Sequence, residues 1–98
     1  MNILGDIGNS ETKIFLVSSN NKIIKQTSFP SKKINNKVLL SKFRSLLTDY
    51  KKIEKILFCS VVPKSFNLIK KFLSKKIKKK CFEVKKLKLR SLINIKVN

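Results

Sequence analysis

Histidine is absent from the 98-residue chain, and glycine, proline and cysteine occur only twice each. Two cysteines without a histidine are too few ligands for a typical metal centre, so none of that kind is expected. So little Gly and Pro argues against low-complexity disorder and against a loop-rich fold. Each Gly and Pro can therefore be read as a positional signal. No apolar run approaches the about 18 residues of a membrane span. The start, Met1–Asp6, has neither the basic stretch nor the long apolar core of a signal peptide, so a cytoplasmic protein with no membrane association is expected. With nothing pointing to secretion, Cys59 and Cys81 are expected as thiols rather than a disulfide. Cys59 falls inside the apolar run Ile56–Val62, where a small buried thiol is the default.

Acidic residues are also scarce, 5 Asp+Glu against 24 Lys+Arg, for a net charge of +19. Such a surface would release counterions from nucleic-acid phosphates, which makes a Lys-rich nucleic-acid-binding module one reading. Against it, almost all the basic residues are Lys, with Arg44 and Arg90 the exceptions. The planar fork that reads bases and clamps phosphates is thus nearly missing. Ile and Asn, whose codons are A/T-rich like those of Lys, are abundant as well. Compositional drift is the preferred explanation, and nucleic acid the alternative partner.

What is present supports a real core. Hydrophobic residues make up 42% of the chain, including seven Phe. A chain of this length forms one domain at most, burying somewhat over ~60% of its unfolded surface. Residues 2–7, Thr12–Ser18 and Lys22–Phe29 read as three short strands, separated by turn signals at Gly8-Asn9 and Asn20-Asn21 and closed by Pro30. Residues 30–36 form a polar connector. Leu39, Phe43, Leu46, Leu47 and Tyr50 then recur at helical spacing through residues 37–52. Lys55–Val62 reads as a buried parallel strand, and Pro63 opens a helix with Phe66, Ile69, Phe72, Leu73 and Ile77 inward. Lys79–Lys85 offers a last short strand, while residues 87–98 suggest a helical turn and then an extended end. The order is β-β-β-α-β-α-β, an α/β fold with a mixed five-stranded sheet. Two crossovers should bring the fourth strand beside the first, with Asp6 and Ser60 at neighbouring strand ends, where ligands of such sheets collect.

The loop that follows Asp6 carries chemistry. A tight turn presents several backbone N–H groups to one point, and Ser10 and Thr12 can add hydroxyl donors. Lys13 can add positive charge, and Asp6 is placed to hold a hydrated Mg²⁺ between phosphates. The plainer alternative is a hairpin whose Asp and Ser satisfy its own turn.

The stretch "DIGNSETKIFLV" resembles the first phosphate motif of the actin-like ATPase and sugar-kinase superfamily, in the wording of type III pantothenate kinases. "ILFCSVVPKSFNLIKKFL" is similar to the Ser-Val-Val-Pro segment of those kinases, at matching distance. "INIKVN" looks like the segment leading to their Val-Asp-Asn-Pro stretch. The resemblance implies the first half of a ribonuclease-H-like, actin-like fold over residues 1–98. It also implies a transferase that phosphorylates pantothenate with ATP at the entry to coenzyme A biosynthesis. By this likeness Asp6, Gly8, Asn9, Ser10 and Lys13 would surround ATP phosphates and magnesium, with Asp6 toward the metal. Ser60, Val61, Val62 and Pro63 would lie on the pantothenate side. A monovalent cation (K⁺ or NH₄⁺) and a homodimer are implied as well. The family's catalytic aspartate belongs to a downstream Gly-Ala-Asp-Arg stretch, and its second domain follows. No catalytic residue is therefore expected within residues 1–98, which alone should be inactive. Gly5 replaces the larger apolar residue usual in the family before the aspartate, and is expected to weaken the first strand. An inactive half-fold remnant is the other alternative.

Overall fold

The computed structural model of the protein describes residues 1–93. Strands β1 (Asn2–Ile7), β2 (Glu11–Val17) and β3 (Ile23–Pro30) are followed by α1 (Asn36–Phe43), β4 (Lys55–Ser60), α2 (Pro63–Ile77), β5 (Cys81–Glu83) and α3 (Lys86–Ile93). The five strands form one sheet in the order β3-β2-β1-β4-β5. The β1–β2 and β2–β3 pairs are antiparallel, and β1–β4 and β4–β5 are parallel. This is the mixed five-stranded α/β half-fold anticipated above, with β4 beside β1.

Side-chain alternation along the strands sends residues to two different cores. Ile3, Ile7, Ile14, Leu16, Ile56 and Phe58 meet Leu39 and Phe43 of α1 and Phe66, Ile69, Phe72 and Leu73 of α2 in the main core. Leu4, Phe15, Val17 and Cys59 point to the other face, where Leu89 of α3 covers them. β3 is an edge strand, so its Ile23 and Ile24 remain exposed. Cys59 and Cys81 are free, buried, and in different cores.

The helices begin where local chemistry dictates. Asn35 caps α1, its Oδ1 accepting from the Val38 amide at 2.9 Å. Pro63 occupies the first turn of α2, as expected. α2 ends at Lys78, a non-glycine residue held in the left-handed region with φ 53°. Its outward lysines Lys70, Lys71, Lys75 and Lys76 are all exposed.

Four expectations need correction. The helix expected over residues 37–52 ends at Phe43, after which the chain runs through turns to a short 3-10 segment at Tyr50–Lys52. The Thr48 hydroxyl donates to the Ser45 carbonyl at 3.0 Å, a local bond that competes with helix continuation. Leu46 is still buried from this turn, whereas Tyr50 is exposed. The end of the chain also differs, since Lys86–Ile93 is a full helix rather than a single turn. The extended end expected after it, and most of the "INIKVN" motif, lie outside the described residues. The strand expected to Val62 stops at Ser60, and that expected over Lys79–Lys85 shortens to Cys81–Glu83. Among the described residues no helix is long and apolar enough to cross a membrane.

Candidate functional site

The parallel pairing of β1 with β4 brings their carboxyl ends to the same edge of the sheet. Ile7 is the partner of Ser60, and Asp6 the partner of Cys59. On its other side Asp6 is paired with Lys13 of β2. Asp6 and Lys13 are thus cross-strand neighbours on one face, the carboxylate half-buried and the ammonium exposed. The field of Asp6 reaches Cys59, whose thiol is pushed up first by burial and then by Asp6, while Lys86 acts in the opposite direction. Ser60 stands one residue further along and therefore on the opposite face of the sheet from Asp6.

Between β1 and β2 the chain turns through Gly8, Asn9 and Ser10. The Gly8 amide donates to the Glu11 carbonyl at 3.0 Å. A Cβ on Gly8 would lie 3.1 Å from that same oxygen, a tight contact that glycine avoids. Asn9 and Ser10 are exposed, and their amides have no acceptor among the described residues. These N–H groups and the Ser10 hydroxyl are donors without a partner among the described residues.

The loop is held from behind by a residue that the sequence reading did not single out. Ser31, buried just beyond β3, donates its hydroxyl proton to the Gly8 carbonyl at 2.6 Å. That single proton being committed, Thr12 is the donor in the 2.8 Å bond between Thr12 Oγ1 and Ser31 Oγ. The Ser31 amide also donates to the Ser10 carbonyl at 3.0 Å. Thr12 is fully buried, so its hydroxyl faces this network and not the open loop. Ser31 was legible only through strand pairing, because Pro30 opposite Glu11 puts the next residue beside Ser10.

The Ser60-Val61-Val62-Pro63 turn abuts the loop. The Val61 amide donates to the Ile7 carbonyl at 3.1 Å, tying the start of α2 to the residue before Gly8. The Ser60 hydroxyl accepts from the Val62 amide at 3.0 Å and donates to the Val62 carbonyl at 2.9 Å. Both capacities shape the turn itself. Val62 packs on the main core, and Val61 is exposed. Between the loop and α2 lies a cleft of about 430 Å³ lined by Asn9, Ser31, Lys32, Val62, Lys64 and Ser65, among others. Asp6, Lys13 and the Gly8–Ser10 loop thus gather on one hairpin. The Val61–Pro63 turn sits beside it, and Thr12 and Ser60 serve the framework.

The sequence model of the type III pantothenate kinase family matches residues 2–98. The chain belongs to the type III pantothenate kinase family. A curated type III pantothenate kinase from Pelagibacter ubique (strain HTCC1062) is 55% identical over 98 residues, which cover all of this chain and 40% of that relative. The chain therefore spans less than half the length of that kinase. The hairpin with its Asp6-Ile7-Gly8-Asn9-Ser10 loop, and the Val-Val-Pro turn next to it, fall within the segment that the type III pantothenate kinase model matches.

Proposed function

We propose that residues 1–98 form the phosphate-loop portion of an enzyme that transfers a phosphoryl group from ATP to pantothenate, the entry to coenzyme A biosynthesis. The observation that carries this reading is the Asp6–Lys13 pair flanking a loop whose Asn9 and Ser10 amides are free to donate. Phosphoryl transfer is mainly positioning and electrostatic stabilisation, and these groups supply both. In this reading Gly8, Asn9, Ser10 and Lys13 hold the nucleotide phosphates. Thr12, through Ser31, fixes the loop from beneath. Ser60 and the Val61–Pro63 turn set the floor on the acceptor side.

No three His, Cys, Asp or Glu side chains gather to hold a metal among the described residues. Asp6 offers one carboxylate, which fits a largely hydrated Mg²⁺ shared with phosphate oxygens rather than an all-protein cage. When bound, the ion would offset phosphate charge. The same proposal carries a K⁺ or NH₄⁺ requirement and a homodimer, which rest on the family likeness, together with a cytoplasmic setting. Asp49, in the turn before the 3-10 segment, and Glu83, at the end of β5, are not residues we assign as the base. Phosphorylation by residues 1–98 alone is therefore not expected.

The test is phosphopantothenate formation by a full-length enzyme carrying this segment. Asp6→Asn keeps the shape and removes the charge, so turnover should fall by about 10²-fold or more while the melting temperature holds. Unaltered turnover would leave Asp6 a strand residue without a part in catalysis and remove the reading of the loop.

A further inference from the structure

The first turn of α2 has features that the phosphate loop does not explain. This helix of 15 residues starts without a side-chain cap and without an acidic residue in its first turn. The first helical bond runs from the Phe66 amide to the Val62 carbonyl, and the Lys64 and Ser65 amides have no acceptor among the described residues. Such an end carries partial positive charge. Ser65 supplies a second and independent indication. It is only 7% exposed, and its hydroxyl makes no hydrogen bond among the described residues. No side-chain oxygen or nitrogen sealed from solvent lacks a partner, so the Ser65 hydroxyl still has an open side. The cleft that Ser65 lines is the opening available to it, and Lys64, Lys32 and Asn9 line the same cleft. Ser65, the two lysines and Asn9 thus line one cleft at the helix start, with no carboxylate among its lining residues.

We propose that the start of α2 is a second oxyanion subsite, separate from the Gly8–Ser10 loop, that takes one carboxylate or phosphate group of a bound reactant. The proposal rests on the kinase reading for which reactant supplies the group, and on the cleft itself for the site. An acceptor with a carboxylate and a nucleotide with phosphates both bring the required chemistry, and Asn9 borders both places. One reactant could therefore be anchored beside the other without sharing donors.

Amide chemical shifts of the 98-residue chain, titrated separately with inorganic phosphate and with acetate, test this. Saturable shifts at Lys64, Ser65 and Phe66 are expected with at least one of the two, and which one saturates names the source. Lys64→Gln, at an exposed position, and Ser65→Ala should each weaken that binding by about tenfold, the worth of one charge-assisted hydrogen bond. Lys71→Gln, elsewhere on α2, should leave it unchanged. Non-saturating shifts, or equal weakening by Lys71→Gln, would reduce the effect to overall charge and overturn the subsite. Shifts confined to Gly8–Ser10 would also overturn it while leaving the phosphate loop standing. Saturation at α2 with silence at Gly8–Ser10 would support the subsite and count against the loop.

Discussion

The ring of Phe58 occupies the space where any residue other than glycine at position 5 would place its Cβ. The two are direct partners across the β1–β4 ladder, and the Phe58 ring also packs at 6.3 Å from that of Phe66. A small residue in the central strand is thus matched by a large one in its neighbour.

Gly5→Ala should accordingly destabilise the fold by about 1–3 kcal/mol, the usual range for overpacking. Denaturant titration measures it. In a Phe58→Leu background the same change should cost clearly less, because the facing side chain has room to yield. Equal costs in both backgrounds would disprove the pairing.

Ser31→Ala should cost about 1–3 kcal/mol, because it strands the Gly8 carbonyl and the Thr12 hydroxyl in a buried place. Adding Thr12→Val removes one stranded group, so the double variant should be less unstable than the sum of the singles. The Ser10 and Glu11 amide shifts should move in Ser31→Ala. An additive double variant would show that the two hydroxyls do not act together.

Burial pushes the Cys81 thiol up from its ordinary value of 9.0 to about 12, with Lys70 acting the other way. Between those values the folded chain keeps a proton that the unfolded chain has released, so folding stability falls as pH rises. The thiol's contribution is fully present below pH 9 and lost on approach to pH 12. Denaturation midpoints of the wild type and Cys81→Ala should therefore converge as pH rises from 8 to 11. Parallel profiles would contradict the burial of this thiol.

Lys78 closes α2 from the left-handed region, where a side chain is disfavoured. Lys78→Gly should stabilise the protein by about 1 kcal/mol, as glycine is the residue suited to that cap. Thermal melting decides it, and a lower midpoint would refute the cap.

The strands and α2 were legible because their signals are local: apolar runs between turn residues, and a helical stripe opened by Pro63. α1 was read too long because Leu46 reaches the core from a turn and so imitates helical spacing. α3 escaped because Leu87 is exposed and Leu89 is its buried leucine, which blurs the stripe. The neighbourhood of Asp6 and Ser60 followed from the order of elements. Their placement on opposite faces follows only from the register, Asp6 with Cys59 and Ile7 with Ser60. Ser31 could not be found locally, since its partners Thr12 and Gly8 are 19 and 23 positions away in the chain.

β1 lies in the middle of the sheet, bonded on both sides, and it is this strand that ends in the Gly8–Ser10 loop. Amide hydrogens of Leu4 to Asp6 should exchange with solvent only on large-scale opening, whereas those of Asn9 and Ser10 are open to water. Protection from exchange therefore collapses within a few residues, from the best-anchored part of the molecule to its surface. A loop rooted in this way has little freedom to wander as a whole, so a ligand would meet donors already in place.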